Sequence, residues 1–356
     1  MIEDDLRAAF ARHEPLTPPT GPLRAAIDRL VARRRRRRQR WQAGGAALAL
    51  LGVLGIGVPL LTPERSGPPQ AAELLAESAR PVPKGAVTIL LVGVDGNGTP
   101  SSPPRTDSVL LLHVPADRSR PYLISLPRDL EVPVPGHGSQ KLNAAFFFGA
   151  RDDRWDLPNG YDLARRTVTD LTGVEVTAGV VLTYPALRKL TDAVGGVPVC
   201  LPQEVRSIHT KRVFPAGCQR VEGAASVDLL RQRRGLRDGG QDRDRNARLF
   251  AAGLIRQATD QGVLTNPVAL AKLLSAVGSD LVTSPDRAAL LDLMRLVPTL
   301  RTLEPVGLSL PVTELRGPQL HLVADPKLAP ELLAALREDR LADWVARHPM
   351  LVDAAR

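Results

Sequence analysis

The sequence predicts an α/β fold: a single α/β(α) sandwich domain with a central mixed sheet flanked by helices, preceded by one transmembrane helix. Two observations predict the domain. Short apolar runs rich in β-branched residues, such as VTILLVGVD and PYLISL, alternate with amphipathic stretches such as YDLARRTVTDLTG. Apolar residues make up 44% of the 356-residue chain, which is enough for a sizeable core. An uncharged segment near the N-terminus predicts the membrane helix.

The elements follow one another from residue 87 onwards. Strand-like runs end in turn or charged residues, and helical segments carry apolar residues three or four positions apart. Strands are predicted at 87–95, 108–114, 121–126, 176–184 and 197–201, and helices at 161–173, 185–196 and 241–262. Helical and strand signals continue to about residue 338, so we predict one domain at 87–345 and a tail at 346–356.

The segment 41–61 contains no charged side chain. In a helix its length is about 30 Å, which matches one hydrocarbon core. Arginines at 33–38 and 40 precede it, and such basic flanks stay in the cytoplasm. We predict a cytoplasmic basic lead (1–40), a single-pass anchor in the cell membrane (41–61), an extracytoplasmic linker rich in proline (62–86) and an extracytoplasmic domain. A cleaved signal peptide is the alternative, but the long lead and the lack of a small-x-small site near Leu61 favour an uncleaved anchor.

The basic charge is concentrated in the lead. The chain has 47 Lys and Arg against 38 Asp and Glu; residues 1–40 hold 11 and 5 of these, which leaves 36 and 33 for the rest. We therefore interpret the arginine run as a topology signal with some attraction to anionic lipid, and not as a nucleic-acid patch. No nucleic-acid partner is predicted.

The chain has two cysteines, Cys200 and Cys218. In an exported domain they are expected to form a disulfide, which closes a loop of about 18 residues and stabilises the fold by roughly 3 kcal/mol. The six histidines are scattered without zinc-binding spacing.

Two carboxylates are expected at one edge of the sheet. Asp95 ends the first strand, and Asp107 precedes the next. Carboxylates held close together repel each other unless a cation joins them, so a Mg²⁺ site is the simplest explanation. Capping of a turn by each aspartate is the alternative. Arg128 follows a strand in a rigid Pro-Arg-Asp turn, which directs its side chain.

A second charged group occurs in LLRQRRGLRDGGQDRDRNARLF. Arg245 and Arg248 share a helix face, whereas Arg231 and Arg233 share a face only if the chain is extended there. Arginine suits phosphate because its planar fork contacts two oxygens at once. Singly, each arginine is interpreted as a surface residue; together with Arg128 and the two aspartates, they indicate a phosphate site.

These segments resemble, in order and spacing, the motifs of the LytR-CpsA-Psr family of cell-envelope proteins. The matching segments are GVDGNGTPSSPPRTDSVLLL, SLPRDLEVPVPG, KLNAAFFFG, DAVGGVPV, AGCQRVEGAAS, LLRQR and DRDRNAR, over about residues 87–260. The resemblance implies that the domain at 87–345 is a phosphotransferase. It would move an anionic glycopolymer, such as a teichoic acid, from a polyprenyl-diphosphate carrier to a peptidoglycan sugar hydroxyl and form a phosphodiester during cell-wall assembly.

The resemblance also implies roles for individual residues. Asp95 and Asp107 would bind Mg²⁺. The substrate phosphates would contact Arg105, Arg128, Lys141, Asn143, Arg231, Arg233, Asp242, Arg245 and Arg248, and the catalytic residues would be Arg128, Asp129, Arg231 and Arg233. Asp129 or Asp107 would take the proton of the acceptor hydroxyl. The polyprenyl tail needs an apolar channel, with ordinary core as the alternative for each candidate; the candidates are Phe146, Phe147, Phe148, Val180, Leu182, Leu187 and Leu190.

One departure from the family pattern is Asp244, where the family has glycine; this acid is expected to pair with Arg245. The alternative function is a membrane-anchored regulatory protein that binds polyprenyl phosphate without turnover. Asp95 and Asp107 favour the enzyme, because a binder of lipid diphosphate could manage with arginines alone. A DNA-binding regulator would need a recognition helix in the lead, and none is evident.

Overall fold

The computed structural model describes residues 84–95, 104–151, 155–277, 281–283, 296, 299–300, 302, 304–315 and 321–353. All of them belong to one compact unit, Gly67–Arg356. The predicted lead, the predicted anchor and most of the predicted linker lie outside these residues. Within the described ranges, no helix is both long enough and apolar enough to cross a membrane.

The strands, in chain order, are β1 Val87–Asp95, β2 Arg105–Val114, β3 Tyr122–Ser125, β4 Glu131–Val134, β5 Gly138–Lys141, β6 Ala178–Thr183, β7 Val197–Leu201, β8 Val205–Arg206, β9 Val213–Phe214, β10 Gly217–Val221, β11 Leu281–Thr283, β12 Val306–Ser309, β13 Val312–Leu315, β14 His321–Ala324 and β15 Val352–Asp353. The helices are α1 Leu142–Ala150, α2 Leu157–Thr172, α3 Tyr184–Ala193, α4 Gly223–Arg231, α5 Gly240–Asp260, α6 Pro267–Val277, α7 Leu328–Arg337 and α8 Leu341–Arg347.

Seven strands form the central sheet, in the order β11-β6-β1-β2-β3-β12-β15. β1 pairs antiparallel with β2 and parallel with β6, and β12 pairs parallel with β3 and antiparallel with β15. The sheet is therefore mixed, as predicted. β15 comes from residues that the sequence analysis assigned to a tail, so the described fold extends to residue 353.

Helices cover both faces of this sheet. Successive strand residues point to opposite faces. Leu90 and Val92 of β1 accordingly pack in a core with α1, α2, α7 and α8, while Val87 and Ile89 pack in another core that includes Ala252 of α5. The predicted sandwich, with helices on either side of a mixed sheet, is confirmed.

Helix α2 shows how local signals set the bounds of an element. Asp156 caps its N-terminus by accepting a hydrogen bond from the backbone N–H of Asn159 at 2.9 Å, and Gly173 ends it in the left-handed conformation at φ 67°. Helix α1, in contrast, forms from the segment LNAAFFFGA, for which the sequence analysis predicted no helix.

A smaller core joins α3, α4 and α5 to β7 and β10. β7 and β10 form a two-stranded ladder in which Cys200 lies opposite Cys218, and the two form the predicted disulfide. Between these strands, β8 and β9 form a short hairpin.

Candidate active site

A β-bulge places Asp107 in the site. Gly93 of β1 pairs with Ser108 of β2, but the next residue, Val94, pairs with Thr106, so Asp107 is the extra residue. By simple alternation Asp107 would share a face with Val109, which lies in the core beneath α1 and α2. A bulge bends the strand and redirects the side chain. The carboxylate of Asp107 therefore lies beside Ser108, on the opposite side of the sheet.

Three side chains from separate elements meet the Asp107 carboxylate. Arg128, in the turn after β3, contacts Oδ1 directly, and Nη1 of Arg243 in α5 lies 3.7 Å from the same oxygen. The hydroxyl of Tyr184, at the start of α3, donates to Oδ2 at 2.7 Å. Burial and the Asp107 charge raise the pKa of Tyr184, which keeps this donor protonated. We call these four residues the Asp107 cluster.

Asp95 lies at the same end of the sheet, as the sequence predicted. Its register partner is Arg105, whose backbone N–H donates to Asp95 Oδ1 at 2.8 Å, while the Arg105 guanidinium lies 5.3 Å from the centre of the Phe147 ring. Burial, and next the negative charge of Asp107, raise the pKa of Asp95. The charge of Asp107 therefore reaches Asp95. In the ranges that the structure describes, no group of three or more His, Cys, Asp or Glu side chains forms a complete metal site.

The turn that carries Arg128 is held by the start of α1. The backbone N–H of Asn143 donates to the carbonyl oxygen of Arg128 at 2.9 Å, and Asn143 is 3% exposed. Lys141 Nζ lies 3.2 Å from Asp129 Oδ1, and Arg128 Nε lies 3.7 Å from Asp129 Oδ2. Lys141 and Asp129 therefore lie beside Arg128, whereas Asn143 contacts the turn through its backbone.

Arg231 reaches the Asp107 cluster from α4. It is the last residue of that helix, is exposed, and its guanidinium lies 5.1 Å from the centre of the Tyr184 ring. Arg233 is exposed in the loop two residues further on. The pair therefore stands at the helix end, with Arg231 against Tyr184.

Arg245 and Arg248 of α5 are engaged elsewhere. Nε of Arg245 lies 3.0 Å from Asp353 Oδ1, and Arg248 contacts the other oxygen of Asp353 as well as Ser125 Oγ. Burial lowers the pKa of Arg248 to about 10. Asp242 accepts from Arg245 Nη1 at 3.0 Å. In this conformation the two predicted phosphate ligands are paired with a carboxylate of β15.

The expected pair of Asp244 and Arg245 is not formed. Asp244 Oδ1 lies 3.1 Å from Nη2 of Arg243, and both side chains are buried. Burial raises the pKa of Asp244, while the charge of Arg243 opposes this shift. The extra acid therefore supports the arginine that lies beside Asp107.

Sequence reasoning missed two residues of the cluster, Tyr184 and Arg243. Tyr184 directly follows β6, whose parallel pairing with β1 brings it to the edge where Asp95 lies. Arg243 precedes Ala247, Phe250 and Leu254 at helical spacing, so it continues the apolar stripe of α5. A charged residue in line with such a stripe was the available signal.

An apolar cavity of about 320 Å³ adjoins the Asp107 cluster. It follows β2 from Asp107 to Val114, a stretch of about 23 Å at the rise of a strand. Predicted channel residues that line it are Val180, Leu182, Leu187 and Leu190. Phe146, Phe147 and Phe148 are not among its lining; Phe146 lies in the core on the other side of the sheet, and Phe148 stacks on His137. For Phe146 the structure favours the alternative, ordinary core.

The family model of the LytR_cpsA_psr family matches residues 69–317. The chain belongs to this family. Two similar curated proteins come from Corynebacterium glutamicum: the probable cell wall biosynthesis protein LcpB is 35% identical over 51% of this chain and 41% of its own length, and the cell wall biosynthesis protein LcpA is 33% identical over 50% and 37%. The chain thus spans about two fifths of the length of these relatives. The polyisoprenyl-teichoic acid–peptidoglycan teichoic acid transferase TagU of Oceanobacillus iheyensis is 27% identical over 57% of this chain and 60% of its own.

Solved structures of the family share the fold. Bacillus subtilis TagV superposes with a TM-score of 0.59 at 19% identity, over 72% of this chain and 98% of TagV. TagT bound to LI-WTA superposes with a TM-score of 0.56 at 19% identity, over 72% of this chain and 91% of TagT. The mixed sheet with its flanking helices is therefore the fold of this LytR_cpsA_psr domain.

Proposed function

We propose that this LytR_cpsA_psr protein transfers an anionic glycopolymer from a polyprenyl-diphosphate carrier to a sugar hydroxyl of peptidoglycan. The observation that carries the proposal is the position of the Asp107 cluster against an apolar cavity of about 320 Å³. An apolar cavity suits an isoprenoid tail, and arginines beside it suit a diphosphate. Family membership and the names of the relatives support the same activity.

The predicted membrane anchor is part of this proposal. A carrier lipid stays in the bilayer, so a single-pass anchor at 41–61, with the domain outside, would keep the cavity close to its donor. Tethering raises the effective concentration of one partner at the other.

The residues of the site would divide the work of the transfer. Arg128 and Arg231 would contact the diphosphate oxygens and stabilise the charge that grows as the bond to the carrier phosphate breaks. The oxygen of the acceptor hydroxyl would attack the phosphorus that carries the polymer, and polyprenyl phosphate would leave. Asp129 or Asp107 would accept the hydroxyl proton.

Asp95 and Asp107 suit a Mg²⁺ ion that is shared with the substrate. Mg²⁺ in such sites is held by one or two carboxylates, with substrate phosphates and water completing its shell. The raised pKa of Asp95, due first to burial and next to Asp107, is consistent with a pair that a cation would stabilise. When bound, the ion would offset negative charge on the phosphoryl oxygens.

The decisive experiment is a transfer assay with the full chain in detergent. The assay contains Mg²⁺, a synthetic polyprenyl-diphosphate disaccharide and uncross-linked peptidoglycan oligomers, with products read by mass spectrometry. Asp95→Ala and Arg231→Ala are compared with Asp162→Ala and Arg166→Ala, which break only ion pairs within α2. We expect a phosphodiester-linked product that is lost in the first two variants and kept in the controls.

The same assay tests the regulatory alternative. Binding of the donor lipid without linked product or released polyprenyl phosphate, across several acceptors, would contradict the enzyme and support a binding protein. Product formation that persists in Arg231→Ala would contradict the assigned site.

The cavity is tested by filling it. Leu254 of α5 lines it, and a Leu254→Trp variant would displace part of the isoprenoid tail. Loss of about two buried methylene contacts raises KM for the polyprenyl donor by roughly tenfold. Leu254→Met, which keeps the volume, is the matched control. An unchanged KM in Leu254→Trp would show that the tail does not occupy this cavity.

A further inference from the structure

The β8–β9 hairpin and the loop after α4 form a strongly basic surface. Residues 205–214 contain three basic residues and no acidic one, and residues 233–237 contain three arginines. We call the exposed basic residues of both segments the basic arm; they are Arg206, Lys211, Arg212, Arg233, Arg234 and Arg237.

Most of the positive charge of the arm is uncompensated. Arg206 lies 3.2 Å from Glu204, and Arg237 lies 4.0 Å from Asp238. The side chains of Lys211, Arg212 and Arg234 form no ion pair with any residue that the structure describes. Exposed charge of one sign attracts polyanions and raises their local concentration.

The hairpin is fixed to α4 by buried polar contacts. The carboxylate of Asp228, 5% exposed, accepts hydrogen bonds from the hydroxyls of Ser207 and Thr210. Gln232, which is fully buried, accepts from the backbone N–H of Ile208 at 3.1 Å. The Cys200–Cys218 disulfide closes the base of the segment that contains the hairpin. The arm is therefore held in one orientation.

These anchors flank the residue that leads to the active site. Asp228 and Gln232 lie on either side of Arg231, whose guanidinium lies over the Tyr184 ring of the Asp107 cluster. Arg231 therefore contacts the Asp107 cluster at Tyr184, and the arm begins two residues later at Arg233. If the tail of a donor lies in the cavity and its diphosphate at the cluster, the polymer, which follows the diphosphate, would begin near Arg231.

We propose that the basic arm binds the anionic repeat units of the glycopolymer, beyond the diphosphate; this inference rests on the proposed function. Because its cations are spread over two segments, the arm would contact several anionic groups along the polymer and not one terminal phosphate. An anionic membrane surface would also attract a basic patch, but no residue of the arm lines the cavity proposed to hold the lipid tail, so the arm is assigned to the polymer.

Binding of lipid-free poly(glycerol phosphate) tests the arm directly. The full chain in detergent is titrated with the labelled polymer at low salt, and Lys211→Glu/Arg212→Glu is compared with Arg120→Glu/Lys327→Glu, which changes charge equally outside the arm. We expect the first variant to raise Kd by about tenfold, with the difference shrinking as salt screens the charges, and the control to stay within about twofold. Arg234→Glu, outside the hairpin, is a second variant that should also weaken binding.

The outcomes separate this inference from the proposed function. Equal polymer affinity of wild type and both arm variants would overturn the arm proposal, as would weaker binding to anionic phosphatidylglycerol vesicles with unchanged polymer binding. Turnover of the disaccharide donor by the wild type decides the proposed function independently. Where both hold, Lys211→Glu/Arg212→Glu lowers turnover of a long-polymer donor relative to the disaccharide donor.

Discussion

The two ends of strands β1 and β2 both carry polar side chains. At one of them, which we call the closed end, these side chains bind one another and the backbone. At the end opposite Asp107, Thr88 Oγ1 and His113 Nδ1 are 2.9 Å apart, and His113 Nε2 lies 2.9 Å from Asp339 Oδ1. The second oxygen of Asp339 accepts from the backbone N–H of Ala116 at 2.9 Å. Each group therefore meets a partner within the protein.

The Asp107 end is built differently. The Asp107 carboxylate pairs with Arg128 and Arg243 and accepts a hydrogen bond from Tyr184. The buried Nε atoms of Arg128 and Arg243 donate no hydrogen bond to any residue that the structure describes. A buried donor without a partner costs free energy. We infer that the closed end contributes to stability, whereas the Asp107 end has arginine donors without partners, which suit a charged ligand.

The largest expected effect comes from a substitution at the Asp107 end. Asp107→Asn removes the negative charge between Arg128 and Arg243, so both arginines lose their common partner. We expect the transfer rate to fall by about 100-fold or more, as for other preorganised charged groups in active sites. Initial rates at saturating donor measure this loss, and a rate within threefold of the wild type would contradict it.

Asp339→Asn removes the negative charge that His113 and the backbone of Ala116 contact at the closed end. Asp339 has a φ of 55°, a conformation that asparagine tolerates, so the variant tests the charge and the hydrogen bonds without new backbone strain. We expect the free energy of unfolding to fall by about 1 to 2 kcal/mol in urea denaturation, with the transfer rate unchanged well below the melting temperature. A loss of activity without loss of stability would reverse the roles assigned to the two ends.

Tyr184→Phe removes one hydrogen bond from Asp107 and keeps the ring beneath Arg231. One such bond contributes about 1 kcal/mol, so the transfer rate should fall by roughly fivefold. Tyr161→Phe is the matched control, because the buried hydroxyl of Tyr161 has no hydrogen-bond partner among the described residues. Equal rates in the two variants would show that the Tyr184 hydroxyl does not support Asp107.

The smallest effect is expected in the pH dependence of the closed end. Burial lowers the pKa of His113 below its ordinary value of 6.5, against the opposing effect of Asp339. The unfolded chain therefore takes up a proton first as the pH falls, so this contribution to stability is complete above about pH 6.5 and is lost below it. The free energy of unfolding should decline between about pH 7 and pH 5, and less steeply in His113→Gln. His209→Gln, at an exposed position, should leave the slope of the wild type.

Much of this architecture could be predicted from the sequence. Strand-length runs and amphipathic segments located β1, β2 and α5, and the position of Asp95 at a strand end placed it at the correct edge. Local pattern could not place the Asp107 carboxylate on the cavity side, because that depends on a bulge in the pairing with β1. Arg243 was missed for a related reason, since only the packing of α5 against the sheet brings it to Asp107.

The arginines of α5 show where residue type alone is insufficient. Arg245 and Arg248 have the spacing and chemistry of phosphate ligands, yet both contact Asp353, more than 100 residues later. A sequence pattern indicates what a side chain is able to bind, whereas competition among all possible partners is decided by the folded chain.

The pairing of α5 with β15 also affects the order in which the molecule assembles. Arg248 and Asp353 are 105 residues apart, so during synthesis the arginine emerges long before its carboxylate. Until β15 docks, Arg248 lacks the carboxylate that it contacts in the folded protein, and contacts between distant parts of a chain form slowly. Because β15 forms one edge of the central sheet, that edge is completed only after the last part of the described chain has been synthesised.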